Sequence, residues 1–182
     1  MQKKPYSRIR KYSISGYSLI EMLVAIGVFA VIGIVVTSSL ASSFKNSKKA
    51  TAISNVKSNV DYAMSTMERL LRNAVHVDTV NSTPKMLVYE DEYGNSDMFF
   101  NCDSANSYIA SGSATLGTNI QLTSDETLID CSGTIFTYPA SAPGVPQIVE
   151  ITLKGTDKNA GVTTEGSSVT SKTRVLLRNY SN

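Results

Sequence analysis

An almost unbroken apolar run occupies residues 19–36 and reads LIEMLVAIGVFAVIGIVV. About 20 consecutive apolar residues in an α-helix cross the hydrocarbon core of a bilayer. The run therefore predicts a membrane-spanning helix, which we place at residues 17–37.

Apolar residues then recur at three- and four-residue spacing, which is the pattern of an amphipathic helix. They are Ile53, Val56, Val60, Met64, Met67, Leu71 and Ala74. No proline lies between Tyr17 and Val77, so residues 38–77 are predicted to continue the membrane helix as one element. Its apolar stripe is most simply the part that a globular domain covers.

Residues 78–182 change character, because Gly, Pro, Ser, Thr and Asn interrupt short alternating segments. Such segments are typical of β-strands. We expect strands at 86–89, 98–100, 107–110, 119–122, 135–138, 147–153 and 173–177, with a hairpin turn at 91–95 and a mobile loop at 154–171. The predicted fold class is α+β, with a long N-terminal helix packed on a C-terminal antiparallel sheet. A chain of 182 residues has room for this helix and one modest domain.

The N-terminal segment, residues 1–16, holds five basic residues and no acid: Lys3, Lys4, Arg8, Arg10 and Lys11. By the positive-inside rule these charges keep the N-terminus in the cytoplasm and place residues after the span outside. The rest of the chain has fewer basic than acidic residues, so the basic excess is not a nucleic-acid-binding surface. Charge is nevertheless uneven, with a basic excess over 45–72 and an acidic excess over 78–130. This charge either serves contacts between neighbouring subunits or only keeps both faces soluble.

Cys102 and Cys131 are the two cysteines, and His76 is the single histidine. Their spacing matches neither a CxxC motif nor a zinc site. In an oxidising compartment a disulfide is expected, whereas in the cytoplasm two free buried thiols are the default. Because the membrane helix places the domain outside, we predict that Cys102 and Cys131 are joined.

Glu21 is an acidic residue within the predicted span. A carboxylate at such a position is costly and usually has a function. An ordinary secretory signal would be cut after the apolar run, for example near 41–43, and it gives Glu21 no role. A basic leader that ends in Gly16, followed by Tyr17 and an early Glu21, asks for a different explanation.

The segment Gly16-Tyr17-Ser18-Leu19-Ile20-Glu21 resembles the type IV prepilin signature. The resemblance implies that a prepilin peptidase removes residues 1–16 between Gly16 and Tyr17 and methylates the new amino group of Tyr17. Prepilins most often have Phe where this chain has Tyr17. Major pilins often have a helix-kinking Pro where this chain has Ser38, which favours a minor pilin or a secretion-type pseudopilin.

The resemblance implies partners as well: the peptidase, other pilin or pseudopilin subunits, a membrane assembly platform, and the lipid bilayer before assembly. A carboxylate in apolar surroundings needs a cationic partner, and the Tyr17 amine of a neighbouring subunit is one for Glu21. Gly27 and Gly33 either permit close helix packing or are ordinary membrane-helix glycines.

The sequence contains no recognisable set of catalytic residues. We therefore expect a structural subunit and not an enzyme, with no cofactor and no metal. His76 is expected near the helix end, and the spacing of the acidic residues fits no calcium loop. We expect a single-pass protein of the cytoplasmic membrane that later joins an extracytoplasmic filament. The rival interpretation is a membrane-anchored extracytoplasmic enzyme or ligand-binding domain that uses the helix only as a tether.

Overall fold

A computed structural model describes residues 16–139, 146–159 and 168–177. The chain divides between Lys45 and Asn46 into two compact units. The first unit contains the start of a helix, α1, that extends from Leu19 to Asn73, and the second contains the end of α1 and the β-strands. The arrangement is α+β, as predicted, with a long apolar N-terminal helix and antiparallel sheets.

The second part of α1 buries one stripe of side chains at helical spacing, which confirms the predicted amphipathic face. The buried residues are Val56, Val60, Ala63, Met64, Met67 and Leu71. They belong to one hydrophobic core together with side chains from the strands. In an amphipathic helix, burial of such a stripe supplies most of the stability.

The helix ends at Asn73, so the predicted end at residue 77 is wrong. The amide of Ala74 still donates to the carbonyl of Leu71 (3.2 Å), but the amide of Val75 donates to Glu90 (2.9 Å). Pairing with a strand thus replaces the next helical hydrogen bonds. β-branched residues suit a pleated strand better than a helix, and Val75 and Val77 stand at this transition.

The first sheet is an antiparallel meander of five strands in chain order. Its strands are β1 (His76–Thr83), β2 (Met86–Glu90), β3 (Met98–Asp103), β4 (Tyr108–Ser113) and β5 (Thr118–Gln121). The predicted hairpin is confirmed, because Leu87 pairs with Phe100 across the 91–95 turn. Gly94 adopts a φ of 85° in that turn, a conformation that glycine reaches without steric cost. Strand β1 was not predicted.

The second sheet is built around β8 (Ile148–Asp157). It pairs with β9 (Ser168–Leu176) along one edge, and with β6 (Thr127–Ile129) and β7 (Phe136–Thr137) along the other. The predicted loop at 154–171 is wrong at both ends, since β8 continues to Asp157 and β9 begins at Ser168. Pairing of Gly155 with Val169 on the neighbouring strand stabilises a β-strand at positions where the Gly/Thr/Ser composition favours a loop. Residues 160–167 lie outside the described residues.

A disulfide joins the two sheets. It links Cys102 in β3 to Cys131, just after β6, with the Cα atoms 5.7 Å apart. Both cysteines are buried in the shared core. The disulfide therefore closes a long segment of chain that contains β4, β5 and β6.

Candidate membrane-spanning and assembly segment

The start of α1 is fixed by Ser18, the residue before the first helical position. Its carbonyl accepts hydrogen bonds from the amides of Glu21 (3.0 Å) and Met22 (3.2 Å). Glu21 stands three residues after Ser18, which is the S-x-x-E spacing of a capping box. A carboxylate in the first turn is also favoured by the helix dipole. Glu21 is thus suited to stabilise the first turn of the helix.

The first part of α1 buries none of its side chains within its unit. Every residue from Gly16 to Leu40 is exposed, with Tyr17 77% and Phe29 76% exposed. Single exposed apolar residues are ordinary on water-soluble proteins, but a long continuous apolar surface marks a contact with a membrane or another protein. Among the described residues, α1 is the one helix long and apolar enough to span a membrane.

Polar side chains at the end of the apolar run bond back to the helix. The hydroxyl of Thr37 donates to the carbonyl of Gly33 (2.8 Å), and the hydroxyl of Ser38 donates to the carbonyl of Val35 (2.9 Å). Such bonds satisfy hydroxyl groups that would otherwise be costly in an apolar environment. Gly33, Thr37 and Ser38 line a shallow groove along one side of the helix, together with Ala30, Ile34 and Ala41.

Of the predicted site residues, Gly16, Tyr17 and Glu21 stand together at the beginning of α1. The five basic residues of the leader lie outside the described residues. Among the described residues, nothing lies within 4 Å of a β-carbon built on Gly27 or Gly33, so packing within that part of the chain requires neither glycine. Cys102 and Cys131 belong to the second unit, where they form the disulfide.

Several acidic residues of the 78–130 segment act as caps for their own turns. Asp78 accepts from the amides of Val80 and Asn81, and Asp103 accepts from those of Ala105 and Asn106. Hydrogen bonds from Asn81 and Asn106, first of all from their side chains, lower the pKa of the two carboxyl groups. The carboxylates therefore stay charged. Their role in capping turns accounts for part of the acidic excess at 78–130.

Asp97 joins two turns of the first sheet. It accepts hydrogen bonds from the hydroxyl of Ser113 and the amide of Thr115, both at 2.5 Å. These bonds lower the pKa of Asp97 to about 2. The sequence gives no local signal for this contact, because the partners are 16 and 18 residues away.

His76 is exposed at the start of β1, just beyond the end of α1 at Asn73 and so near the helix end where it was expected. The described residues contain no group of three or more His, Cys, Asp or Glu side chains that could hold a metal ion. Glu150 on β8 instead forms ion pairs with Lys172 and Arg174 on β9. Both cations are exposed and Glu150 is half-buried between adjacent strands, and ion pairs near the surface contribute little individually.

Comparison of the chain with protein-family models, with curated proteins and with solved structures finds no match.

Proposed function

We propose that this chain is the membrane-inserted precursor of a filament subunit of the type IV pilin class, a minor pilin or a pseudopilin. The observation that carries the proposal is the position of the Gly16–Glu21 motif. It lies immediately before and within the first turn of a helix in which residues 19–40 are all exposed and residues 19–36 are almost all apolar. A signature of this class and a surface that needs an apolar partner thus coincide.

The helix accounts for two successive environments. Before assembly, the apolar surface of residues 19–36 is covered by lipid, and the basic leader keeps the N-terminus in the cytoplasm. In the filament, the same surface packs against the helices of neighbouring subunits, so apolar contact with protein replaces apolar contact with lipid. The globular domain and its disulfide are then extracytoplasmic, where disulfides persist.

Glu21 gives the assembly its axial register. Removal of residues 1–16 leaves an amino group on Tyr17, which carries a positive charge and remains charged after a single methylation. A carboxylate in apolar surroundings is costly without a cationic partner. The Tyr17 amine of an adjacent subunit provides that partner, and a subunit displaced along the fibre axis loses it.

Intact-mass measurement tests the proposal directly. The full chain is produced in membranes with and without a prepilin peptidase. With the peptidase, the expected product begins at N-methylated Tyr17. Gly16→Ala should block the cut, and Gly27→Ala, a glycine substitution inside the helix, serves as the matched control that should be processed like wild type.

Two outcomes would contradict the proposal. Cleavage after residue 40 would indicate an ordinary secreted domain. A chain that stays uncut in the presence of an active peptidase would favour the rival interpretation, in which α1 is only a tether for an extracytoplasmic enzyme or ligand-binding domain.

A further inference from the structure

A polar cavity of about 260 Å³ lies where the first sheet meets the second. Tyr108 at the start of β4 and Gln121 at the end of β5 line one side. Leu128 of β6 and Lys158, which follows β8, line the other. The cavity belongs entirely to the second unit and has no part in the proposed assembly through the N-terminal helix.

The backbone around the cavity is held by hydrogen bonds, one between the two sheets and one within the second sheet. Ser107 adopts a φ of 58°, a left-handed conformation that is uncommon for residues other than glycine. Its carbonyl accepts a hydrogen bond from the amide of Ile129 at 2.7 Å. The amide of Lys158 donates to the carbonyl of Glu126 at 2.9 Å. These bonds fix the β3–β4 turn and the end of β8 against β6.

Two carboxylates orient the amide side chains that line the cavity. The amide nitrogen of Gln121 donates to Asp125 at 3.0 Å, and the amide nitrogen of Asn106 donates to Asp103 at 2.8 Å. In each side-chain amide the nitrogen donates to a carboxylate. The amide oxygen takes no part in that bond and can accept a hydrogen bond from another group. Asp125 has a second oxygen that does not take part in the bond with Gln121.

Donors complement these acceptors. Tyr108 is not one of these donors, because its phenol already donates to Asp103; partial burial and this hydrogen bond raise the pKa of Tyr108. Lys158 contributes an ammonium group, and Ser124 and Thr127 contribute hydroxyl groups. Donors and acceptors therefore line the same small space, together with the side chain of Tyr108.

This lining discriminates among ligand classes. An apolar ligand is disfavoured, because Leu128 is the one aliphatic side chain on the walls and such ligands occupy mostly apolar pockets. An anion meets one ammonium group but also the carboxylate of Asp125. A vicinal polyol fits best, because each of its hydroxyl groups both donates and accepts hydrogen bonds.

We propose that this cavity, between Tyr108, Gln121, Asp125 and Lys158, binds one unit of a neutral saccharide. The amide and carboxylate oxygens accept hydrogen bonds from the sugar hydroxyls, while Lys158 and the protein hydroxyl groups donate to them. A half-open site with few polar contacts implies an affinity on the order of millimolar for a monosaccharide. The proposal does not rest on cleavage or filament assembly.

Saturation-transfer NMR on the full chain in phosphatidylcholine nanodiscs tests the site. Nanodiscs are required because sugar-headed detergents would compete with the probes. The probes are D-glucose, D-galactose and N-acetyl-D-glucosamine. At least one of them should receive saturation from the protein, and failure of all three would overturn the proposal.

Variants locate the binding. Gln121→Ala and Asp125→Ala should each lower the affinity for the sugar about tenfold, since each removes hydrogen-bond acceptors. Ile120→Ala is the matched control, because Ile120 is an exposed neighbour on β5 that does not line the cavity. The sugar affinity of this variant should stay within about twofold of wild type. Circular dichroism confirms folding, and either of the two substitutions suffices if the other disrupts it.

Two further results would contradict the inference. Equal affinity for wild type and for the folded cavity variants would mean that the sugar binds elsewhere. Binding of D-glucuronate about tenfold more tightly than D-glucose, abolished by Lys158→Gln, would identify an anion site and not a neutral saccharide site.

Discussion

Gly155 of β8 lies against Val60 of α1 so closely that a β-carbon on the glycine would be 2.7 Å from Val60 Cγ2 and 3.1 Å from Val56 Cγ1. The same position pairs with Ile129 and Val169 on the two neighbouring strands. The glycine therefore has no freedom to move aside. Its missing side chain allows the central strand to contact the buried stripe of the helix.

Gly155→Ala should destabilise the globular domain by about 1–3 kcal/mol, because the added methyl group overpacks the contact between strand and helix. Denaturant unfolding of the full chain in nanodiscs, followed by tyrosine fluorescence, measures the change. Gly133→Ala is the control, since nothing lies within 4 Å of a β-carbon at Gly133. If overpacking is the cause, Val60→Ala should be less harmful in the Gly155→Ala background than alone. Strict additivity would refute this explanation.

Removal of the Cys102–Cys131 disulfide should cost about 3–4 kcal/mol in the chain-entropy model, since the bond spans 29 residues of sequence. Because both cysteines are buried, mild reductant should leave the folded protein intact and act only after unfolding. Thiol labelling of protein taken from membranes checks the pairing. Two labelled cysteines under denaturing, non-reducing conditions would show that the disulfide does not form.

Acid should weaken the first sheet through Asp97. Its pKa falls from 3.8 to about 2 on folding, so the unfolded chain binds the proton more readily. The stabilisation is complete above pH 4 and is lost as the pH falls from about 4 towards 2. Unfolding midpoints measured across this range should fall less steeply for Asp97→Asn than for wild type. Equal slopes would mean that other carboxyl groups dominate the acid response.

Two substitutions separate the possible roles of Glu21. Glu21→Ala removes both the charge and the capping group, whereas Glu21→Gln keeps a side chain that is favoured at this capping position. Insertion and cleavage should survive both changes, because either makes the span less polar. If Glu21 pairs with the Tyr17 amine of a neighbour, both variants should fail to enter filaments.

The readout for Glu21 is the ratio of filament-associated to membrane-held cleaved protein. Normal assembly of Glu21→Gln together with failure of Glu21→Ala would show that Glu21 acts by capping the helix. Normal assembly of both variants would rule out the amine–carboxylate pair for this subunit.

Much of the architecture follows from local sequence patterns. The run at 19–36 is apolar over the length of a membrane span, and the stripe from Val56 to Leu71 repeats with a helical period, so both predict α1 without tertiary information. The hairpin of β2 and β3 is similarly local, since Asp91 caps a turn in which Gly94 supplies the positive φ. The Gly16–Glu21 motif is also read entirely from consecutive residues.

Tertiary pairing decided what local composition leaves open. Helix α1 ends at Asn73 because Glu90, far along the chain, accepts the amide of Val75. The Gly/Thr/Ser-rich residues after Leu153 continue as strand because β9 pairs with them. In the same way, the hydroxyl of Thr173 donates a hydrogen bond to the carboxylate of Glu68, which is 105 residues away in the sequence.

Local sequence is thus sufficient for the apolar helix, the α+β class and the motif at the start of the helix, because those features depend on neighbours within about two helical turns. Tertiary packing is needed for the contact between Gly155 and Val60, for the capping by Asp97 of a turn 16 to 18 residues away, and for the polar cavity between β5 and β6. These features require segments distant in the chain to meet, and no local periodicity encodes which segments do so.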